Sequence, residues 1–304
     1  MPDIKIKNYI IIILSLLIFS VFNSCKSDRS KTEEDVYSAM EIEIDTSAAK
    51  MVKFNNTLFS LPSPYQLAIF VKDFGVEYNN EILNSTQNVS NYTNNFKKSI
   101  NLGIYGADLA YLNIYDQVPD AISYFSVIKL LSQDLGISSA FDASTIRRIE
   151  QNMGNKDSLL FIISNTYRSA DAYLKANNRN DIGVLVLAGG WIEGLHILLE
   201  IAKQNKNDEI INRIGENKQP LENLIKILSP YYNQSDEFTE LIDDFIDLAT
   251  VFDGISIEYH YKESETFQEQ KLTMINSKTI LAVGEEQFDL INSKIEKIRN
   301  NIIN

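Results

Sequence analysis

The sequence predicts a mainly α fold: a multi-helix bundle of about 8–10 helices, with a short β-hairpin or strand before the C-terminal helix. Three observations carry this. Apolar residues recur at spacings of three and four over most of the chain beyond residue 64. Ser, Asp, Asn or Pro stands where several of these periodic segments begin. Only one stretch, Ile255 to Tyr261, switches to period 2.

In order, Ser63 and Pro64 mark a helix start, as N-cap and first helical residue, and Leu67, Ile69, Phe70, Phe74 and Val76 follow. A second helix is predicted from about Asn94 to Asp116. A third runs from Pro119 to Gly136 with Ile122, Phe125, Ile128 and Leu131 buried, and Asp142 caps a short one holding Ile146, Ile149 and Met153. Leu160, Ile163, Tyr167, Ala170 and Leu174 stripe the next, and Asp181 opens a long apolar helix to about Lys203. Two more are expected around 207–217 and 220–229, and Ser235 caps 236–252, whose apolar face is Phe238, Leu241, Ile242, Phe245, Ala249 and Phe252. Ile255, Ile257, Tyr259 and Tyr261 then alternate with Ser256, Glu258, His260 and Lys262, which reads as a half-buried strand, with 272–283 as its partner. The final helix carries Phe288, Ile291, Ile295, Ile298 and Ile302; Glu285 and Glu286 at its start and Lys294, Lys297 and Arg299 toward its end complement the helix dipole. There is no solenoid-type repeat.

Composition removes several classes of function. The chain has 304 residues, a net charge of −13, one cysteine and two histidines. One cysteine permits no internal disulfide, and one cysteine with two histidines cannot supply a four-ligand Cys/His zinc module. The acidic balance opposes binding to the phosphate backbone of nucleic acid. With 44% hydrophobic residues the chain is not disordered throughout. No Gly-x-Ser-x-Gly, phosphate loop or dinucleotide glycine pattern is present, and no cofactor is expected.

The single cysteine belongs to a distinctive N-terminus. Lys5 and Lys7 precede an apolar run from Tyr9 to Phe22, short of the roughly 20 apolar residues of a transmembrane span and of the size of a signal-peptide core. It ends Phe22-Asn23-Ser24-Cys25. This segment resembles the signal and lipobox of Gram-negative lipoproteins. The resemblance implies that residues 1–24 are a signal peptide, that the Cys25 thiol is acylated, and that Cys25 becomes the mature N-terminus. Two or more acyl chains, palmitate among them, then anchor the protein stably. Lys26 stands where an inner-membrane retention signal of some of these bacteria has Asp, so the resemblance favours the outer membrane, in either leaflet. Residues 25–58 read as a charged tether and 59–304 as a single helical domain, with a subdivision near 155 as an alternative. The mature chain would carry 26 basic and 40 acidic residues, so attachment would rest on acyl chains and not on anionic lipid.

Two segments are apolar all round and rich in small residues: 102–112, with Gly103, Gly106, Ala107 and Ala110, and 182–201, with Gly190 and Gly194. Glycine costs about 1 kcal/mol in a helix interior, so several together predict close backbone approach or a ligand. Each holds an isolated acid, Asp108 or Glu193, which if buried must be paired or protonated. The segment 182–201 has the hydrophobicity of a marginal membrane span, but Glu193 and His196 at its middle oppose that reading. Glu193 and His196 share the Glu-x-x-His spacing of a di-iron helix, but no second such pair exists. What remains is a mononuclear site of Asp108, Glu193 and His196, or a satisfied core pair; base rates favour the core pair, and no metal is assigned. Tyr105, Tyr111, Tyr115, Tyr124 and Trp191 either line a ligand pocket or are core aromatics. Glu240, Asp243, Asp244 and Asp247 read as a solvated face.

The stretches 60–64, 101–111 and 298–300 resemble helical lipoproteins of Gram-negative envelopes whose activity is uncharacterised. The resemblance implies a fold and a location and no activity. The expectation is therefore a lipid-anchored binding or scaffolding protein without catalytic residues, its partners the membrane and an envelope protein or glycan. The alternative is an enzyme or mononuclear metal protein using Tyr105, Asp108, Tyr111, Trp191, Glu193 and His196.

Overall fold

The computed structural model describes residues 50–54, 57–61, 64–137, 143–152, 179–205 and 207–304 without 269–271, and isolated positions between 155 and 177. The signal, Cys25, most of the tether, the cap positions Ser63 and Asp142, and most of the stripe at 160–174 lie outside the described residues. Ser47–Asn304 groups as one compact unit.

The mainly α reading holds. The described residues contain nine α-helices: α1 Pro64–Asp73, α2 Asn95–Ile114, α3 Val118–Asp134, α4 Ala143–Gln151, α5 Asn180–Gln204, α6 Asp208–Gly215, α7 Lys218–Leu228, α8 Asp236–Asp253 and α9 Glu285–Ile303. Side chains at the helix starts act as caps, since the first N–H groups lack intrahelical partners. Asn94 accepts from Lys97 N at 2.8 Å, Asn207 from Glu209 N at 2.7 Å and Ser235 from Phe238 N at 3.4 Å. Gly136, at φ 68°, follows the end of α3 in the left-handed region that glycine tolerates. An antiparallel hairpin, β1 Lys50–Phe54 and β2 Thr57–Leu61, begins within the stretch read as tether, and β2 lies alongside α7.

The helix faces follow the apolar stripes. Phe238, Leu241, Ile242, Phe245 and Phe252 of α8 are buried, as are Phe288, Ile291, Ile295, Ile298 and Ile302 of α9. On α8, Leu248 is buried where the sequence predicts Ala249, which is half-buried. Ile122 is a correction: it is half exposed, and α3 buries Ala121, Phe125, Val127, Ile128 and Leu131 instead.

At the centre, α2 and α5 cross with their backbones touching. A Cβ on Gly103 would meet the Val186 carbonyl oxygen and come within 2.7 Å of Gly190 N, and one on Gly189 would meet the Ile100 carbonyl. Gly103 and Gly189 therefore serve the close approach of α2 and α5, and Gly194 lies against Leu67 of α1. Among the described residues α5 is the one helix long and apolar enough to cross a membrane, yet 83% of its most apolar window is buried inside the domain.

The second correction concerns the strand. Between α8 and α9 lies a two-stranded β-arm of four short strands: β3 Ser256–His260, β4 Glu265–Phe267, β5 Leu272–Met274 and β6 Lys278–Ala282. β3 pairs antiparallel with β6, Ser256 opposite Ala282, and β4 with β5, Glu265 opposite Met274. Four residues, 261–264, face three, 275–277, so one extra residue is accommodated between the two paired stretches. The Ser277 hydroxyl stitches this irregular part, accepting from Lys262 N at 3.1 Å and donating to Lys262 O at 2.9 Å. The alternation of β3 is real, but the strand is not half-buried: every residue of it is exposed. Period 2 reports that one face is apolar; it does not say that anything covers that face.

Candidate functional site

Three distant stretches of sequence bring the candidate residues together. α2 supplies Asp108, α5 supplies Glu193 and His196, and α9 supplies Arg299; the loop before α2 adds Ile82 and Asn84. Asp108 and Glu193 have no solvent exposure, and His196 and Arg299 are 7% exposed.

Arg299 grips Glu193 with two nitrogens: Nε donates to Oε2 at 2.6 Å and Nη2 to Oε1 at 2.7 Å. This planar fork is the geometry in which a buried carboxylate is best compensated. Arg299 Nη2 also donates to the Ile82 carbonyl at 3.2 Å, which accepts from His196 Nε2 at 3.1 Å. Burial disfavours ionisation of Glu193, but the charge and hydrogen bonds of Arg299 outweigh it and hold this carboxyl below its ordinary value. Burial also opposes the Arg299 charge, and Glu193 more than restores it.

Asp108 behaves in the opposite way. Its Oδ2 accepts from Asn84 N at 3.3 Å, while Oδ1 finds no donor. Burial first, and the negative charge of Glu193 second, push its carboxyl well above the ordinary range against the pull of Arg299. Two ionised carboxylates cannot bond each other, because both only accept. The two acids therefore sit on opposite sides of their ordinary values: burial beside the charged Glu193 favours the neutral, protonated form of Asp108, and Arg299 favours the ionised form of Glu193. Burial holds His196 down, in its neutral form, and its Nδ1 has no partner among the described residues.

A tyrosine network closes one side. Asn84 Nδ2 donates to Tyr92 Oη at 3.0 Å, Tyr105 Oη donates to the Ser85 carbonyl at 2.8 Å, and Asn101 Nδ2 reaches the Ile302 carbonyl of α9 at 3.1 Å. Burial raises the Tyr105 hydroxyl far above its usual value.

Of the residues singled out by sequence, Asp108, Glu193 and His196 are therefore tied into one buried network through Asn84, Arg299 and the Ile82 carbonyl, with Tyr105 close by. Tyr111 is a core aromatic packed against Tyr78 and Tyr115, its hydroxyl accepting from Asn79 N at 3.1 Å. Trp191 donates to Asn217 Oδ1 at 3.0 Å and meets Phe245 edge-on, apart from the acids. Arg299 is a correction as well: it is buried against Glu193 and does not act on the helix dipole from the surface. Its position, four after Ile295 on the apolar stripe, was the signal that it points inward. Among the described residues, no three His, Cys, Asp or Glu side chains are grouped to hold a metal ion. Two acids of α8 face partners on α9, Asp244 with Lys297 at 2.9 Å and Asp247 with Lys294 at 2.6 Å, while Asp243 accepts from Tyr232 at 3.0 Å.

Fold and site define a mainly α protein built around a buried acid–arginine cluster. Comparison with family models, curated proteins and solved structures finds no match to the chain.

Proposed function

We propose that this chain is a lipid-anchored component of a Gram-negative cell envelope, attached through Cys25, whose helical domain binds or scaffolds an envelope protein or glycan. The Phe22-Asn23-Ser24-Cys25 pattern behind an apolar core supports the anchor, and Lys26 supports the outer membrane. One observation weighs most for a binding role over catalysis. Glu193, the acid that an enzyme or metal reading would use, has no solvent exposure and spends both oxygens on Arg299. A general base or metal ligand must reach its proton or its metal; this carboxylate is committed to holding α9 on α5.

The test has two arms. Growth with a clickable palmitate analogue should label the wild-type chain and leave Cys25→Ser unlabelled; an unlabelled wild type with a free Met1 sinks the anchor. Metal analysis of protein purified without chelator addresses the other arm. One equivalent of a transition metal, lost in Glu193→Gln, would overturn the binding role in favour of a metal centre.

A further inference from the structure

From the β-arm we infer that two copies of this chain associate edge to edge through β3, forming an isologous dimer centred on Tyr259. This rests on the domain being a binding component and names the partner as a second copy.

The two long edges of the arm differ. On the β6 side, Leu281 N donates to Asn212 Oδ1 of α6 at 2.8 Å, and Gly215 lies against Leu281 and Val283. On the β3 side no strand is paired with the outer edge among the described residues. Ile257, Tyr259 and Tyr261 are 62, 64 and 75% exposed. An open edge is a template for another strand, and natural sheets block such edges with proline, a bulge or charged side chains, lysine above all. The run 256–260 contains no proline, glycine or lysine and pairs without a bulge, and its one acid, Glu258, lies 3.5 Å from His260 of the same strand. A two-stranded ribbon is marginal alone and gains most from a third and fourth strand.

The occupant follows from pattern and charge. Antiparallel pairing about a twofold axis at Tyr259 sets Ile257 opposite Tyr261 of the second copy and Glu258 opposite its His260. Apolar meets apolar on one face, acid meets imidazole on the other, and Lys262 falls opposite Ser256. Charge favours the same place. Residues 256–282 hold four glutamates and three lysines, whereas the chain carries −13, so two copies meet here through a nearly neutral segment.

Disulfide trapping in the full chain tests the register. Residues directly opposite across an antiparallel pair have Cβ atoms close enough for a disulfide. Tyr259→Cys should yield a 259–259 linked peptide on mild oxidation, and Thr266→Cys, seven positions from the axis, should yield none. Equal trapping at both positions, or none at 259, overturns the proposal. Independently, the wild type should sediment at twice the protomer mass and Tyr259→Lys, which sets like charges face to face, at the protomer mass; its far-UV circular dichroism should be unchanged because the side chain is exposed. A wild type that stays monomeric, or that binds phosphatidylcholine vesicles through this arm as a monomer, overturns it as well. Palmitate labelling of Cys25 is read separately, so loss of the anchor and loss of the pairing are told apart.

Discussion

The centre of the α2–α5–α9 contact and the β-arm invert the usual placement of residue chemistry. The first buries two acids, an arginine and a histidine; the second exposes isoleucines, tyrosines and a phenylalanine. Both arrangements cost free energy on their own. The buried group offsets most of its cost internally, through the fork of Arg299 on Glu193 and the raised value that favours a neutral Asp108. The arm has no such internal partner, since every described residue of β3, β4 and β5 is exposed. A polar cluster whose charges are paired within it reads as architecture, and an apolar strand left uncovered reads as a contact surface.

The sharpest way to break this contrast is to uncouple the fork. Arg299→Met should lower the free energy of unfolding by about 3–5 kcal/mol in urea titrations, because Glu193 is left charged and buried. The double change Glu193→Leu with Arg299→Met should recover most of that loss, and no recovery would mean that the cluster holds more than the pair. Next, Gly103→Ala should cost about 1–3 kcal/mol by the same measurement, since the added methyl meets the Val186 carbonyl.

A smaller effect distinguishes the two acids. The folded-state value of Asp108 lies above its unfolded one, near 3.9. Its contribution is thus fully present below about pH 4 and is lost as pH rises toward the folded value. Asp108→Asn removes the titration. Its melting temperature should therefore gain on the wild type as pH rises above about 4; parallel curves would refute a raised Asp108. Smallest of all, Tyr259→Ser in the arm should change protomer stability by no more than about 0.5 kcal/mol in a urea titration at concentrations too low for dimers.

Much of this contrast was legible in sequence. The stripes on α8 and α9 gave the core, the glycines of α2 and α5 gave the close crossing, and the isolated acids Asp108 and Glu193 had to be paired or protonated. The partner of Glu193 was not, because Arg299 lies 106 positions away and no local period joins them. Nor was the contribution of the Ile82 carbonyl, a backbone atom in an irregular loop whose side chain says nothing of its role. The strand shows the converse limit. Alternation located β3 within a residue or two, yet its burial depends on what packs against it, and that is no property of the strand itself.

The cluster also joins parts of the chain that are far apart in sequence. Its bonds span 106 positions from Glu193 to Arg299, 201 from Asn101 to Ile302 and 217 from Ile82 to Arg299. A chain made from its N-terminal end presents α2 and α5 long before α9. The counter-charge that the buried Glu193 requires is thus the last of the cluster to be made, and the C-terminal helix carries it.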